Sequence, residues 1–173
     1  KQAELSTEGA DIAIGLTQAE LQINNQQYEQ ALATLLRVKK PSGHHPLVLK
    51  MLSSVYQALN DWPNLLKLLP HLKKSNAVSS LEYDNIERRV VCSMLVESVK
   101  GGSTDQLLAC WKQLPGSIKK NSDIVVCYAE QLITVGLLEE AERLLRLELQ
   151  RKYSPALITV YGFSGDKSFE KQL

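Results

Sequence analysis

Side chains able to do chemistry are few in this chain and scattered along it. His44-His45 is the one local cluster of potential metal ligands, and it lies in Ser42-Gly43-His44-His45-Pro46, a run whose residue types serve to link two helices. A metal centre would need further Cys, His or carboxylate ligands from elsewhere, and their spacing identifies none, so no metal is expected. Cys92, Cys110 and Cys127 are spaced 18 and 17 apart, which matches neither paired disulfide frameworks nor close ligand spacing; they are expected as buried thiols. His71 follows Pro70 and has no Ser or Cys assigned to it by spacing, so no catalytic residue is expected and the chain does not read as an enzyme. Gly101-Gly102 is followed by Ser-Thr-Asp rather than the Gly-Lys-Ser or Gly-Lys-Thr of a phosphate loop, and these residues read as a turn.

Composition narrows the classes further. The 173 residues are 44% apolar and 23% charged, enough for a continuous core. Lys and Arg total 20 against 19 Asp and Glu, so the chain carries no basic field for phosphate neutralisation, and nucleic acid is not an expected partner. Its longest apolar runs, around Val90-Val91-Cys92 and Leu132-Ile133-Thr134-Val135, fall far short of the roughly 20 residues of a membrane-spanning helix. The chain opens on Lys1 and not on Met, which suggests a piece excised from a longer polypeptide.

The elements that hold these residues follow from an internal repeat. Tyr28 aligns with Trp62, Ala31 with Leu65, Leu35 with Leu69 and Val38 with Leu72, all at an offset of 34. The same offset sets Ala19 on Ser53, a small residue where two helices approach closely. Leu107, Trp111 and Leu114 repeat the pattern after a step of 42, and Ala141 with Leu145 after a further 34, which brings Ala129 onto the position of Ala19. The aromatic residues Tyr28, Trp62 and Trp111 therefore read as wedges between paired helices, as do Tyr56 and Tyr128.

A repeat of this length with these offsets predicts an all-α fold, a right-handed α-α superhelix of tetratricopeptide-type helix pairs. The pairs are expected at about 10–24 with 28–40, 46–59 with 62–74, 80–99 with 104–114, and 122–135 with 138–152. A capping helix is expected over 155–162, where Leu157, Val160 and Tyr161 form an apolar face. The eight extra residues of the long step fall before Arg88, in a long helix capped by Ser79 or Ser80, and its turns around Leu81 to Asn85 are expected to protrude. In that register Glu20, Lys50, Ser54, Gln57, Arg89 and Glu130 face a groove, a mixed-charge set suited to a protein or peptide partner.

The wording of the repeats also resembles a known family. The run Ala10-Asp11-Ile12-Ala13-Ile14-Gly15-Leu16-Thr17-Gln18-Ala19-Glu20-Leu21, then Tyr28-Glu29-Gln30-Ala31-Leu32, His45-Pro46 and Asp61-Trp62, is similar to the C-terminal half of bacterial HemY proteins. Cys110-Trp111-Lys112-Gln113-Leu114-Pro115 and Leu157-Ile158-Thr159-Val160-Tyr161-Gly162 resemble that family's Trp-x-x-Leu-Pro and terminal Leu-x-x-x-Tyr-Gly patterns. The resemblance implies a repeat domain carried at the bacterial inner membrane by N-terminal helices absent here, associated with late haem synthesis and working as a scaffold for tetrapyrrole-pathway enzymes. It transfers no catalytic residue. An alternative of a different class is direct haem or porphyrin binding, with His44, His45 or Cys92 as axial ligands; a third is a generic scaffold for assembling envelope complexes.

Overall fold

The computed structural model describes the backbone of residues 2–42, 45–151 and 155–170, and the side chains of 10–39, 45–151 and 155–162. Among the described residues all regular structure is helical. The chain divides into two compact units, Lys1–Glu87 and Arg88–Leu173.

The first unit holds α1 (Gln2–Asn24), α2 (Tyr28–Ser42), α3 (Pro46–Ala58), α4 (Trp62–Ser75) and the opening turns of α5 (Ser80–Val99). Its helices pack in chain order, α1 on α2, α2 on α3 and α3 on α4, with α1 also touching α3. The apolar stripe predicted from the repeat is what they bury: Ala19, Ala31, Leu35, Leu49, Leu52, Leu65 and Leu72 have no solvent exposure. Gly15 is buried as well, and a Cβ there would press into Val38, so α1 and α2 approach through a hydrogen at this point. Local chemistry sets the ends. Asp61 caps α4 by accepting from the Asn64 N–H at 3.3 Å, and Asn76, with φ 49°, closes it. Ser79, not Ser80, caps α5 by accepting from the Glu82 N–H at 3.2 Å.

The second unit holds the rest of α5, α6 (Thr104–Gln113), a short 3-10 helix over Ile118–Lys120, α7 (Ser122–Thr134), α8 (Leu138–Arg151) and α9 (Pro155–Glu170). Ser103 caps α6 and Asn121 caps α7 through their side-chain oxygens. Helix α7 packs on α8, and α9 lies against both, burying Leu157 and Val160 beside Val125, Ala129 and Leu145. The 3-10 turn is an addition to the expected elements. Helices α1 and α9 are longer than expected, starting at Gln2 and ending at Glu170, because glycines at 9, 162 and 165 each weaken a helix by only about 1 kcal/mol and do not stop it.

One backbone feature recurs with the sequence period. Gln26, Asn60, Gly102 and Gly136 adopt left-handed φ values of 60°, 55°, 67° and 82°, and each stands five residues before Ala31, Leu65, Leu107 and Ala141 respectively. Three of these turns share one set of hydrogen bonds, in which the N–H groups of Gln27, Asp61 and Leu137 donate to the carbonyls of Gln22, Tyr56 and Leu132 at 2.8 to 2.9 Å. That six-residue bond with a left-handed residue inside it is the Schellman closure of a helix C-terminus.

Candidate functional site

The six mixed-charge residues stand on the first helices of their pairs: Glu20 on α1; Lys50, Ser54 and Gln57 on α3; Arg89 on α5; Glu130 on α7. Steps of four and three put Lys50, Ser54 and Gln57 on one face of α3. Glu20, Lys50, Ser54, Arg89 and Glu130 are exposed, whereas Gln57 is half-buried, its Nε2 donating to the carbonyl and hydroxyl of Ser53 at 3.3 and 3.4 Å. The Ser54 hydroxyl donates to the Lys50 carbonyl at 3.3 Å, a bond within the helix that leaves the face polar. Each unit thus carries exposed charge of both signs, Glu20 and Lys50 in the first, Arg89 and Glu130 in the second.

The proposed haem ligands divide differently. His44 lies outside the described residues. His45 is exposed and precedes α3 as its cap residue, with no capping bond from its side chain. Cys92 is not a buried isolated thiol. The influence of Cys127 holds its thiol below the ordinary value while Cys127 is pushed up, and both are half-buried, as is Cys110. All three cysteines were expected in the core, and the structure corrects this: each stands at the margin of its helix's buried stripe. Among the described residues no group of three or more His, Cys, Asp or Glu could hold a metal ion.

Two further constellations were not anticipated. Trp111 and Tyr128 stack with ring centroids 4.0 Å apart and planes 3° from parallel, and the Lys119 ammonium lies 5.7 Å from the Trp111 ring. This stack joins α6 to α7. Glu148 is 6% exposed although it occupies the repeat position filled by Val38, Leu72 and Leu114. Its carboxylate accepts from the Ser122 hydroxyl at 3.3 Å and pairs with Arg151 at 3.4 Å. The offset of 34 from Leu114 would have flagged it, as the one charge on an apolar register.

Two surface cavities are lined by residues of the first unit. One of about 530 Å³ lies beside Pro70, His71, Lys74 and Ser75, and another of about 380 Å³ beside Asp11, Gly15, Arg37 and Val38.

Among curated proteins the chain is similar to Protein HemY of Escherichia coli strain K12, of Escherichia coli O157:H7 and of Shigella flexneri. Each is 20% identical over 147 residues, which make up 85% of this chain and 37% of the relative. The similarity to HemY is distant. The chain spans little more than a third of the length of the curated relatives it matches. No family model matches it, and neither does any solved structure. No helix among the described residues is long and apolar enough to cross a membrane.

Proposed function

We propose that this chain is a non-enzymatic docking scaffold, its helix pairs stacking as a right-handed tetratricopeptide-type superhelix. The observation that carries the reading is the left-handed turn repeated at Gln26, Asn60, Gly102 and Gly136 in the period of the sequence repeat. Repeats of this kind bury their apolar stripes on sequence neighbours, which frees the outer residues of the first helices to vary with the partner. Glu20, Lys50, Ser54, Gln57, Arg89 and Glu130 supply the recognition face. Because charges of both signs occur there, the partner is a protein with a complementary mixed-charge surface.

The similarity to HemY supports a partner in late tetrapyrrole synthesis, held at the bacterial inner membrane through segments outside this chain. Holding an enzyme beside its membrane substrate raises effective concentration, and no chemistry by the scaffold is required.

The test is recovery of tetrapyrrole enzymes from solubilised membranes on the immobilised chain, beside a Lys50→Glu/Arg89→Glu variant. We expect a tetrapyrrole enzyme with the parent and a loss of about tenfold or more with the variant, roughly 1.4 kcal/mol or above. Absence of such enzymes from both samples, or equal recovery by the two, overturns the reading. Haemin titration separates the haem carrier: a saturable Soret shift abolished by His45→Ala or Cys92→Ala would establish that alternative.

A further inference from the structure

Helix α1 is apolar on two sides. Its inner side holds Gly15 and Ala19, both buried where the helix packs on α2 and touches α3. At about 100° of rotation per residue, Ala10, Ile14, Thr17 and Leu21 fall on the opposite side. All four are exposed, Ile14 by 66% and Leu21 by 61%. Their spacing of four, three and four is that of a seam on which one helix seats against another.

The repeat shows what becomes of these positions elsewhere. Steps of 34, 42 and 34 carry Ile14 onto Val48, Val90 and Ile124, all β-branched, and none of those three has any solvent exposure. Leu21 falls on Val55, which is fully buried as well. Helix α3, which bears Val48 and Val55, packs on the preceding α2 as well as on its own partner α4. Among the described residues no helix stands to α1 as α2 stands to α3. The neighbouring position differs too. Later first helices bury Leu49, Val91 and Val125 there, whereas α1 has Gly15, beside a cavity of about 380 Å³ edged by Asp11, Ile14, Arg37 and Val38. That cavity can take an apolar side chain from outside.

We propose that the outer side of α1 is the docking surface for a basic amphipathic helix, the second helix of a further pair of this repeat carried by the polypeptide ahead of Lys1. Charge selects this occupant. Over Gln2–Asn24 the helix has Glu4, Glu8, Asp11 and Glu20 and no Lys or Arg, so it favours a cationic partner. The second helices of the first unit have that chemistry: α2 carries Arg37, Lys39 and Lys40 against Glu29, and α4 carries Lys67, Lys73 and Lys74 with no acid. A second copy would instead set one acidic helix against another. The curated relatives have room for such a pair, since the 147 aligned residues are 37% of each. The inference rests on the stacking of pairs in the proposed superhelix, and neither the groove nor a tetrapyrrole partner enters it.

The test compares Ile14→Cys in the 173-residue chain and in the polypeptide at its natural length, both purified, by the rate of N-ethylmaleimide modification under native conditions. Trypsin leaves position 14 in peptide 2–37, apart from the native cysteines in 90–100, 101–112 and 121–143. We expect fast modification in the shorter chain and modification about tenfold or more slower at natural length. Asp11→Lys should restore much of the speed in the longer protein and leave the shorter one unchanged. A maleimide–diazirine reagent on the same cysteine should crosslink to a basic segment ahead of Lys1. Equal rates in the two proteins overturn the proposal, and an Asp11→Lys variant that stays slow overturns the choice of a basic helix. Slow modification of the shorter chain that quickens on dilution assigns the face to a second copy, and protection that requires a cell extract assigns it to another protein; either overturns the proposal. Loss of partner recovery through Lys50 and Arg89 leaves these rates untouched, so the two readings fail separately.

Discussion

The same repeat position is solved in opposite ways in the two units. In the first, Leu72 on α4 is fully buried, and Pro46 opens the paired helix α3 while Ser75 stands three residues after Leu72. In the second, Glu148 on α8 is almost as deeply placed, and the equivalents are Ser122 at the start of α7 and Arg151 three residues on. Pro46 has neither a hydroxyl nor an N–H, and Ser75 carries no charge; its hydroxyl donates to the Leu72 carbonyl instead. Ser122 donates to Glu148, Arg151 pairs with it, and the carboxylate lies at the positive end of α7. The repeat register thus specifies burial, and the local helices decide whether a carboxylate can tolerate it.

Exchanging the two solutions should give the largest effect. Leu72→Glu places a carboxylate with no partner in an apolar site, and we expect a loss of about 4 kcal/mol or more, read as a fall in the urea midpoint of the first unit. Adding Pro46→Ser and Ser75→Arg to it should restore a measurable part of that loss. If the triple variant is no more stable than Leu72→Glu alone, the surroundings of Glu148 are not what permits it. The reverse change, Glu148→Leu, should lie within about 1 kcal/mol of the parent or above it, because replacing a buried ion pair with an apolar side chain is often neutral or stabilising.

The turns make a second, smaller comparison. The first unit places Gln26 and Asn60 at its left-handed positions, and the second places Gly102 and Gly136. A Cβ at positive φ costs about 1 kcal/mol, so Gln26→Gly should stabilise by roughly 0.5 to 1 kcal/mol and Gly136→Ala should destabilise by about 1 to 2 kcal/mol. Thermal unfolding monitored by circular dichroism would show midpoints moving in opposite directions. Equal destabilisation by both substitutions would mean that the Gln26 side chain is needed for more than its backbone conformation.

The smallest effect concerns how each unit treats a carboxylate near another titratable group. In the second unit Glu148 meets a cation; in the first, Glu87 accepts from the Tyr83 phenol at 3.1 Å, while the Lys73 ammonium lies 5.2 Å from the Tyr83 ring. Burial, then the Glu87 charge and hydrogen bond, then Asp84, push the Tyr83 phenol up to about 12 from 10.0. The folded chain therefore favours the neutral phenol. Its contribution is fully present below pH 10 and is lost as the pH rises towards 12. Stability measured across that window should fall less steeply in Tyr83→Phe than in the parent, and identical slopes would remove Tyr83 from the alkaline response.

Helix α5 shows how far the chain's own pattern reaches. The extra residues before Arg88 are legible as a long helix with a serine cap, and α5 runs over Ser80–Val99 with Ser79 capping it. Leu81 is 72% exposed there, whereas Tyr83 is half-buried beside Lys73, so the added turns are not uniformly free. Of the six mixed-charge residues, five are exposed and Gln57 is half-buried, bonded back to Ser53.

What the sequence determined by itself is the register: which residues point inward, where each pair turns, and which small residues let helices meet. These depend on apolar spacing, caps and left-handed turn residues, all interactions within a few positions along the chain. Only the tertiary structure decided that all three cysteines are half-buried, that Glu148 finds Ser122 and Arg151, and that Trp111 stacks on Tyr128. The physical reason is that such contacts join side chains on different helices. Their formation depends on helix crossing and rotation to within an ångström or two, which a spacing rule along one chain does not encode.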